Sequence, residues 1–186
     1  MGEQWAYCNT GYLLVRQAVE RATRQEIDAA LRGLVFEPLG LERSFVARSV
    51  GDLDDCLWLA GRGYDPKWVY HGLVVGPVAD ACRFIHAVGT GRLLSKECDA
   101  RLRQSVELGG PVPDRPWARA AYGLGVMNGD YVDLGNCIGH SGNGPGSVCA
   151  VYHVAGVSVC AFGPEEREDG VEWETHGMAL DLTWSG

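Results

Sequence analysis

The sequence is short of positive charge and has no long apolar run. Sixteen Lys and Arg stand against 24 Asp and Glu, a net charge of -8, and lysine occurs only at Lys67 and Lys96. Phosphate backbones are held by basic surfaces, so this balance argues against nucleic acid, and equally against an anionic membrane surface. No stretch approaches the ~18 consecutive apolar residues of a membrane-spanning helix. The start, Met1-Gly2-Glu3-Gln4-Trp5-Ala6-Tyr7, lacks a basic region and an apolar region, so it does not have the form of a signal peptide. Seven cysteines, an odd number, include no Cys-x-x-Cys pair. They are expected to be reduced thiols, mostly small core residues, in a cytoplasmic protein. Neither they nor the five histidines show zinc-ligand spacing. There is no internal repeat and no low-complexity tract.

What is present is an ordinary globular composition, 46% apolar and 22% charged, in 186 residues. That length buries a core as one domain or as a lobe of a larger one. Asn9-Thr10 offers helix caps. Tyr12, Val15, Val19 and Ala22 then recur at helical spacing. Ile27, Ala30, Leu31, Leu34 and Val35 predict a second helix, stopped by Pro38 and Gly40. Periodicity fades from Leu41 to Tyr70, a long irregular excursion of the kind that is often functional. Pro77 begins a helix through Val88, with Gly89 as its stop. Ser95 caps another carrying Leu102 and Val106, and Gly109 to Pro116 is a break.

Beyond that break the period changes to two. Tyr122, Leu124 and Val126 alternate with small residues, and Asn128-Gly129 predicts a hairpin turn. Gly135 to Gly142 predicts a strand. Ser147 to His153 and Val157 to Phe162 predict a hairpin around Ala155-Gly156. Val171 to Trp184, with Val171, Trp173, Met178 and Leu182, predicts a closing helix. Helices followed by antiparallel strands and a last helix make an α+β layout. Residues 1–110 form its mainly helical region and 117–186 its strands and closing helix.

Three stretches, in order, carry a resemblance. Tyr7-Cys8-Asn9-Thr10-Gly11-Tyr12 is similar to the Tyr-x-Asn motif of the penicillin-binding, class C β-lactamase-like serine hydrolases. Phe36-Glu37-Pro38-Leu39-Gly40-Leu41, then His71-Gly72-Leu73, Ala79-Asp80-Ala81 and Gly91-Arg92-Leu93-Leu94-Ser95, resemble successive elements of that family. Tyr122-Gly123-Leu124-Gly125 followed by Gly139-His140-Ser141-Gly142-Asn143-Gly144-Pro145-Gly146 resembles its strand with a His/Lys-x-Gly motif.

The resemblance implies a partial β-lactamase/transpeptidase-like fold and acyl transfer on a small ester, peptide or β-lactam, with no cofactor and no metal. Tyr7 is implied as proton acceptor or relay, Asn9 as a hydrogen-bond partner of substrate or lysine, and His140 as the donor where relatives carry Lys. Ser141, Gly142 and Asn143 are implied to lie beside the scissile group, where a strand N–H serves an oxyanion hole. The family's nucleophile sits in Ser-x-x-Lys, and no Ser here has Lys three residues later. The helix bearing it, and the N-terminal helix and strands that precede Tyr-x-Asn in relatives, have no counterpart in these residues. An inactive fragment is therefore expected. In relatives those strands pair beside the last strand, so Val157 to Phe162 is expected to present an apolar edge that invites self-association.

Tyr7 and Asn9 also suit a core tyrosine and a helix cap, and the chain also suits a non-catalytic binding remnant. A Cys137–His140 nucleophile pair is the third reading, although residues three apart on a strand face opposite ways. Cys8 is read as a spacer.

Overall fold

The computed structural model describes residues 5–58, 63–164 and 167–184. The chain divides into two compact units, residues 6–80 and residues 81–186 joined by the amino terminus through Trp5.

In the first unit α1 (Asn9–Thr23) is followed by α2 (Ile27–Leu31), a wide π-type turn (Arg32–Phe36) and α3 (Glu37–Leu39). Pro38 does not stop this run as the sequence predicts. It lies in the last helical turn, and the stop is Gly40 at φ 65°. There the Leu41 N–H reaches the Phe36 carbonyl (2.8 Å) and the Gly40 N–H the Glu37 carbonyl (3.1 Å). This is a left-handed cap that glycine adopts without strain. Ile27, Ala30, Phe36, Leu41, Val46, Ala47 and Leu53 are buried. α1 contributes no buried residue, and Val15 in its stripe is exposed.

The irregular excursion is tied at its base by β1 (Phe45–Ala47) against β2 (Leu73–Val75), antiparallel with Phe45 opposite Val75. Three-residue strands are too short to show a period, so the sequence hides them. Within it, Ser49 and Asp52 form a capping box, the Asp52 carboxylate accepting the N–H groups of Arg48 (2.7 Å) and Ser49 (2.9 Å). Ser44 donates its hydroxyl to the buried Asp80 carboxylate at 2.9 Å.

The second unit is an antiparallel sheet of β3 (Val106–Gly109), β4 (Trp117–Tyr122), β5 (Met127–Tyr131), β6 (Gly135–Gly144), β7 (Ser147–Val154) and β8 (Val157–Gly163), in that spatial order. α4 (Val78–Gly89), which begins in the first unit, and α5 (Lys96–Arg103) precede the sheet in sequence, and α6 (Glu168–Trp184) closes it. Val106, predicted as helical, belongs to β3.

The predicted Asn128-Gly129 turn is instead inside β5. The turn is Gly123 to Val126, closed by Gly123 N–H to the Val126 carbonyl at 2.8 Å with Gly125 at φ 79°. Asn128 is buried and donates its amide to the Arg103 carbonyl at 2.7 Å. Gly129 lies so close to the Arg119 carbonyl that a Cβ would sit 2.1 Å from it. A dipeptide that usually marks a turn is used here for a side-chain bond and a close backbone approach.

Alternation divides the sheet into two faces. One buries Trp117, Tyr131, Cys137, Val148, Ala150, Tyr152, Val154, Val159 and Ala161 against Val171 and Ala179 of α6. On the other, Ile138 packs with Ile85 and Val88 of α4, and Leu102, Val151 and Cys160 flank them. α6 turns a different side inward than its apolar residues predict. Val171, Glu172, Thr175, His176 and Ala179 are buried, whereas Trp173, Met178 and Leu182 are exposed.

On the α4 face, His153 (2.8 Å) and His86 (3.3 Å) both direct Nδ1 at the Ser158 hydroxyl. One hydroxyl proton serves one ring, so the other ring donates. Burial, with His86 and Arg103 nearby, holds His153 below the usual imidazole pKa. The unfolded chain then binds the proton more readily, so stability rises with pH through this window. It is fully present above about pH 6.5 and is lost as pH falls toward the folded value. The urea midpoint is expected to drop between about pH 8 and about pH 5.5, and His153→Gln to flatten that drop. An equal slope in the variant contradicts the assignment.

Candidate active site

Tyr7, Cys8 and Asn9 lie at the start of α1. Cys8, not Asn9 or Thr10, is the N-cap. Its extended backbone (φ -150°, ψ 114°) places its carbonyl to accept the Gly11 N–H at 3.0 Å. The Cys8 thiol makes no regular capping bond, yet the N–H groups of Gly11 and Thr10 lower its pKa. Exposed and beside a helix N-terminus, it has the surroundings of an acidified thiol. Tyr7 is 51% exposed, its ring 5.7 Å from that of Tyr12. Asn9 opens the helix and is also exposed.

His140, Ser141, Gly142 and Asn143 are consecutive on β6, in the second unit. β5 begins at Met127, opposite Gly139, whereas β6 continues in register with β7 beyond that point as far as Gly144 opposite Ser147. The four residues therefore occupy a two-stranded ribbon that runs past β5. His140 faces the α4 side, where Tyr122 at the end of β4 brings its hydroxyl 2.7 Å from Nε2. On the same ring Nδ1 contacts the Ser141 carbonyl. A carbonyl only accepts, so Nδ1 carries hydrogen, and in the neutral ring Nε2 then accepts from the Tyr122 phenol. The Trp5 ring lies against Tyr122, centroids 4.9 Å apart.

Ser141 points the other way, to the α6 side. Its hydroxyl donates to Glu168 (3.1 Å) and receives Arg115 (3.3 Å). Arg115 also pairs with Glu168 and, through Nε, with Glu172 at 2.7 Å. Glu172 is fully buried, and it accepts from Tyr152 (2.8 Å) and Trp117 (3.2 Å) as well. Burial pushes its carboxyl above the usual range, against the pull of Arg115. Asn143, on the Ser141 side, lines a cavity of about 280 Å³ with Pro113, Asp114, Arg115, Arg167, Glu168 and Asp169. Gly142 faces the His140 side opposite Cys149, whose Sγ would lie 3.1 Å from an added Cβ.

The structure thus joins His140 to the Ser141 main chain but sends their side chains to opposite faces. Cys137 and His140 do not pair. Cys137 is buried on the α6 face, where burial raises its thiol well above the ordinary value. Among the described residues no group of three or more His, Cys, Asp or Glu is arranged to hold a metal, and no helix is long and apolar enough to cross a membrane.

The Beta-lactamase family model matches residues 1–164. The chain belongs to the Beta-lactamase family. None of the curated proteins matches it. Among solved structures it is similar to a D-amino acid amidase from Ochrobactrum anthropi SV3 complexed with D-phenylalanine. That likeness has 18% identity and a TM-score of 0.76, over 98% of this chain and 60% of that one. It is also similar to a D-stereospecific amidohydrolase from Streptomyces sp., at 21% identity and TM-score 0.71, over 89% and 52%. A third likeness is to an octameric penicillin-binding protein homologue from Pyrococcus abyssi, at 18% and 0.72, over 98% and 43%. The chain spans about half the length of these structures. At these identities the likeness shows the fold.

Within this Beta-lactamase family unit, Tyr122, Arg115, Glu168 and Glu172 are the residues that sequence reasoning missed. Tyr122 stands in the stretch Tyr122-Gly123-Leu124-Gly125, where neither strand alternation nor the resemblance ties it to His140. Glu172 carried no distinguishing signal, being one of several acids between Glu168 and Glu174. Removing one member of a buried ion pair leaves its partners unsatisfied. Glu172→Ala is expected to cost about 3 kcal/mol in urea unfolding, and the exposed Glu174→Ala less than about 0.5 kcal/mol. Equal small losses contradict the role assigned to the network.

Proposed function

We propose that this chain carries the supporting groups of a serine hydrolase that transfers acyl groups from a small ester, peptide amide or β-lactam, and that the nucleophile is supplied by residues outside these 186. The observation that carries this reading is the Beta-lactamase family match over residues 1–164 in a sequence without Ser-x-x-Lys. Tyr7 is the proton acceptor or relay of the attacking serine. Asn9 binds the substrate amide or the missing lysine. His140 is the side-chain donor. The main chain of Ser141, Gly142 and Asn143 lies along the scissile group, with a strand N–H in the oxyanion hole. The amidase names of the structural neighbours favour amides of D-amino acids among the substrates. Alone, the chain is inactive.

The acidified Cys8 thiol favours a second reading, a cysteine-dependent hydrolase using Cys8 rather than the buried Cys137. Intact mass after exposure to a fluorescent penicillin or a fluorophosphonate separates the two. The serine reading expects no adduct on this chain. It expects an adduct on a longer product that includes an in-frame Ser-x-x-Lys, in which Tyr7→Phe lowers kcat by about 100-fold or more. An adduct on the chain alone that survives Cys8→Ser sinks the serine reading. One abolished by Cys8→Ser establishes the cysteine reading.

Self-association belongs to the same proposal. Among the described residues β8 ends the sheet and pairs with β7 alone, and such an edge is a template for another chain. Sedimentation velocity over a concentration series is expected to show a rising coefficient. A constant monomer value across the series contradicts it.

A further inference from the structure

The hydrogen-bond pattern around His140 goes beyond its role as a donor, although it rests on the reading of His140 as a site residue. The ring is gripped at both nitrogens by groups of different character. At Nδ1 it meets the Ser141 carbonyl, which has no hydrogen to give. At Nε2 it meets the Tyr122 hydroxyl at 2.7 Å, which can either give or receive. Only one neutral tautomer satisfies both contacts. Tyr122 is itself held. It is 7% exposed, it pairs with Met127 across the β4–β5 turn, and its ring lies between Trp5 (centroids 4.9 Å) and the His140 ring, met edge-on at 88°.

We propose that Tyr122 is the positioning residue of His140, locking the imidazole in the tautomer with hydrogen on Nδ1 and fixing the direction in which its ring edge is presented. A ring whose direction is set before reaction needs no reorganisation when charge develops beside it.

The test is nitrogen NMR of the full chain labelled with 15N-histidine, at a pH where the rings are neutral by their own signals. His140→Gln identifies the His140 resonances by their loss. The expected wild-type pattern is a pyrrole-type Nδ1 and a pyridine-type Nε2. In Tyr122→Phe the His140 Nε2 signal is expected to shift and the second tautomer to appear, with the other four histidines unmoved. A wild-type ring with hydrogen on Nε2 overturns the proposal, and so do His140 signals unchanged in Tyr122→Phe. If that variant does not fold, the wild-type tautomer decides. The readout needs no turnover, so failure of the hydrolase reading in the labelling assay leaves this result standing, and the reverse also holds.

Discussion

Neighbouring residues of β6 face opposite ways, and the unit formed by residues 81–186 depends on that alternation. The even positions Ile138 and His140 look toward α4 and Tyr122, while the odd positions Cys137, Ser141 and Asn143 look toward α6. One strand therefore separates the face that carries His140 from an anchoring face. His140 meets the Tyr122 hydroxyl on the first of these. The strand that presents it is fixed from behind by Ser141, through Glu168 and Arg115 to α6.

The anchor is polar in an otherwise apolar layer. Trp117, Tyr131 and Tyr152 pack ring against ring, with centroids 4.7 to 5.5 Å apart, and two of them turn a donor toward Glu172. A buried carboxylate is tolerated there because Arg115 and two neutral donors meet it together. Gly139 belongs to the same arrangement. A Cβ at that position would lie 2.4 Å from the Tyr152 ring, so glycine just before His140 leaves room for the tyrosine that reaches Glu172. Packing on the α6 side thus fixes the residue that precedes His140 in the strand.

Much of this was legible beforehand, and the exceptions have physical causes. The α+β layout, the helices beginning near Asn9, Pro77 and Ser95, and the β7–β8 hairpin followed from period and punctuation. The family was legible by resemblance, because its motifs are local strings. Asn128-Gly129 misled because its amide and its missing Cβ serve tertiary contacts, which outrank local turn preference. α6 misled because its buried face is built around Glu172, Thr175 and His176, and a pattern search weights apolar residues only. β1 and β2 were too short to announce themselves. Tyr122 could not be tied to His140 by sequence, since the bond depends on β4 ending and β5 beginning where β6 runs on.

The chemistry that follows is one of parts. Tyr7 and Asn9 stand at a helix start in residues 6–80, and His140 and its strand in residues 81–186. In the proposed enzyme these groups handle protons and charge around a serine carried elsewhere. A time course of p-nitrophenyl acetate hydrolysis by the purified 186-residue chain tests that claim most directly. The account predicts no burst and a slow rate that Tyr7→Phe leaves unchanged. A burst stoichiometric with the chain, abolished by Tyr7→Phe, would contradict it, because the nucleophile would then lie within these residues.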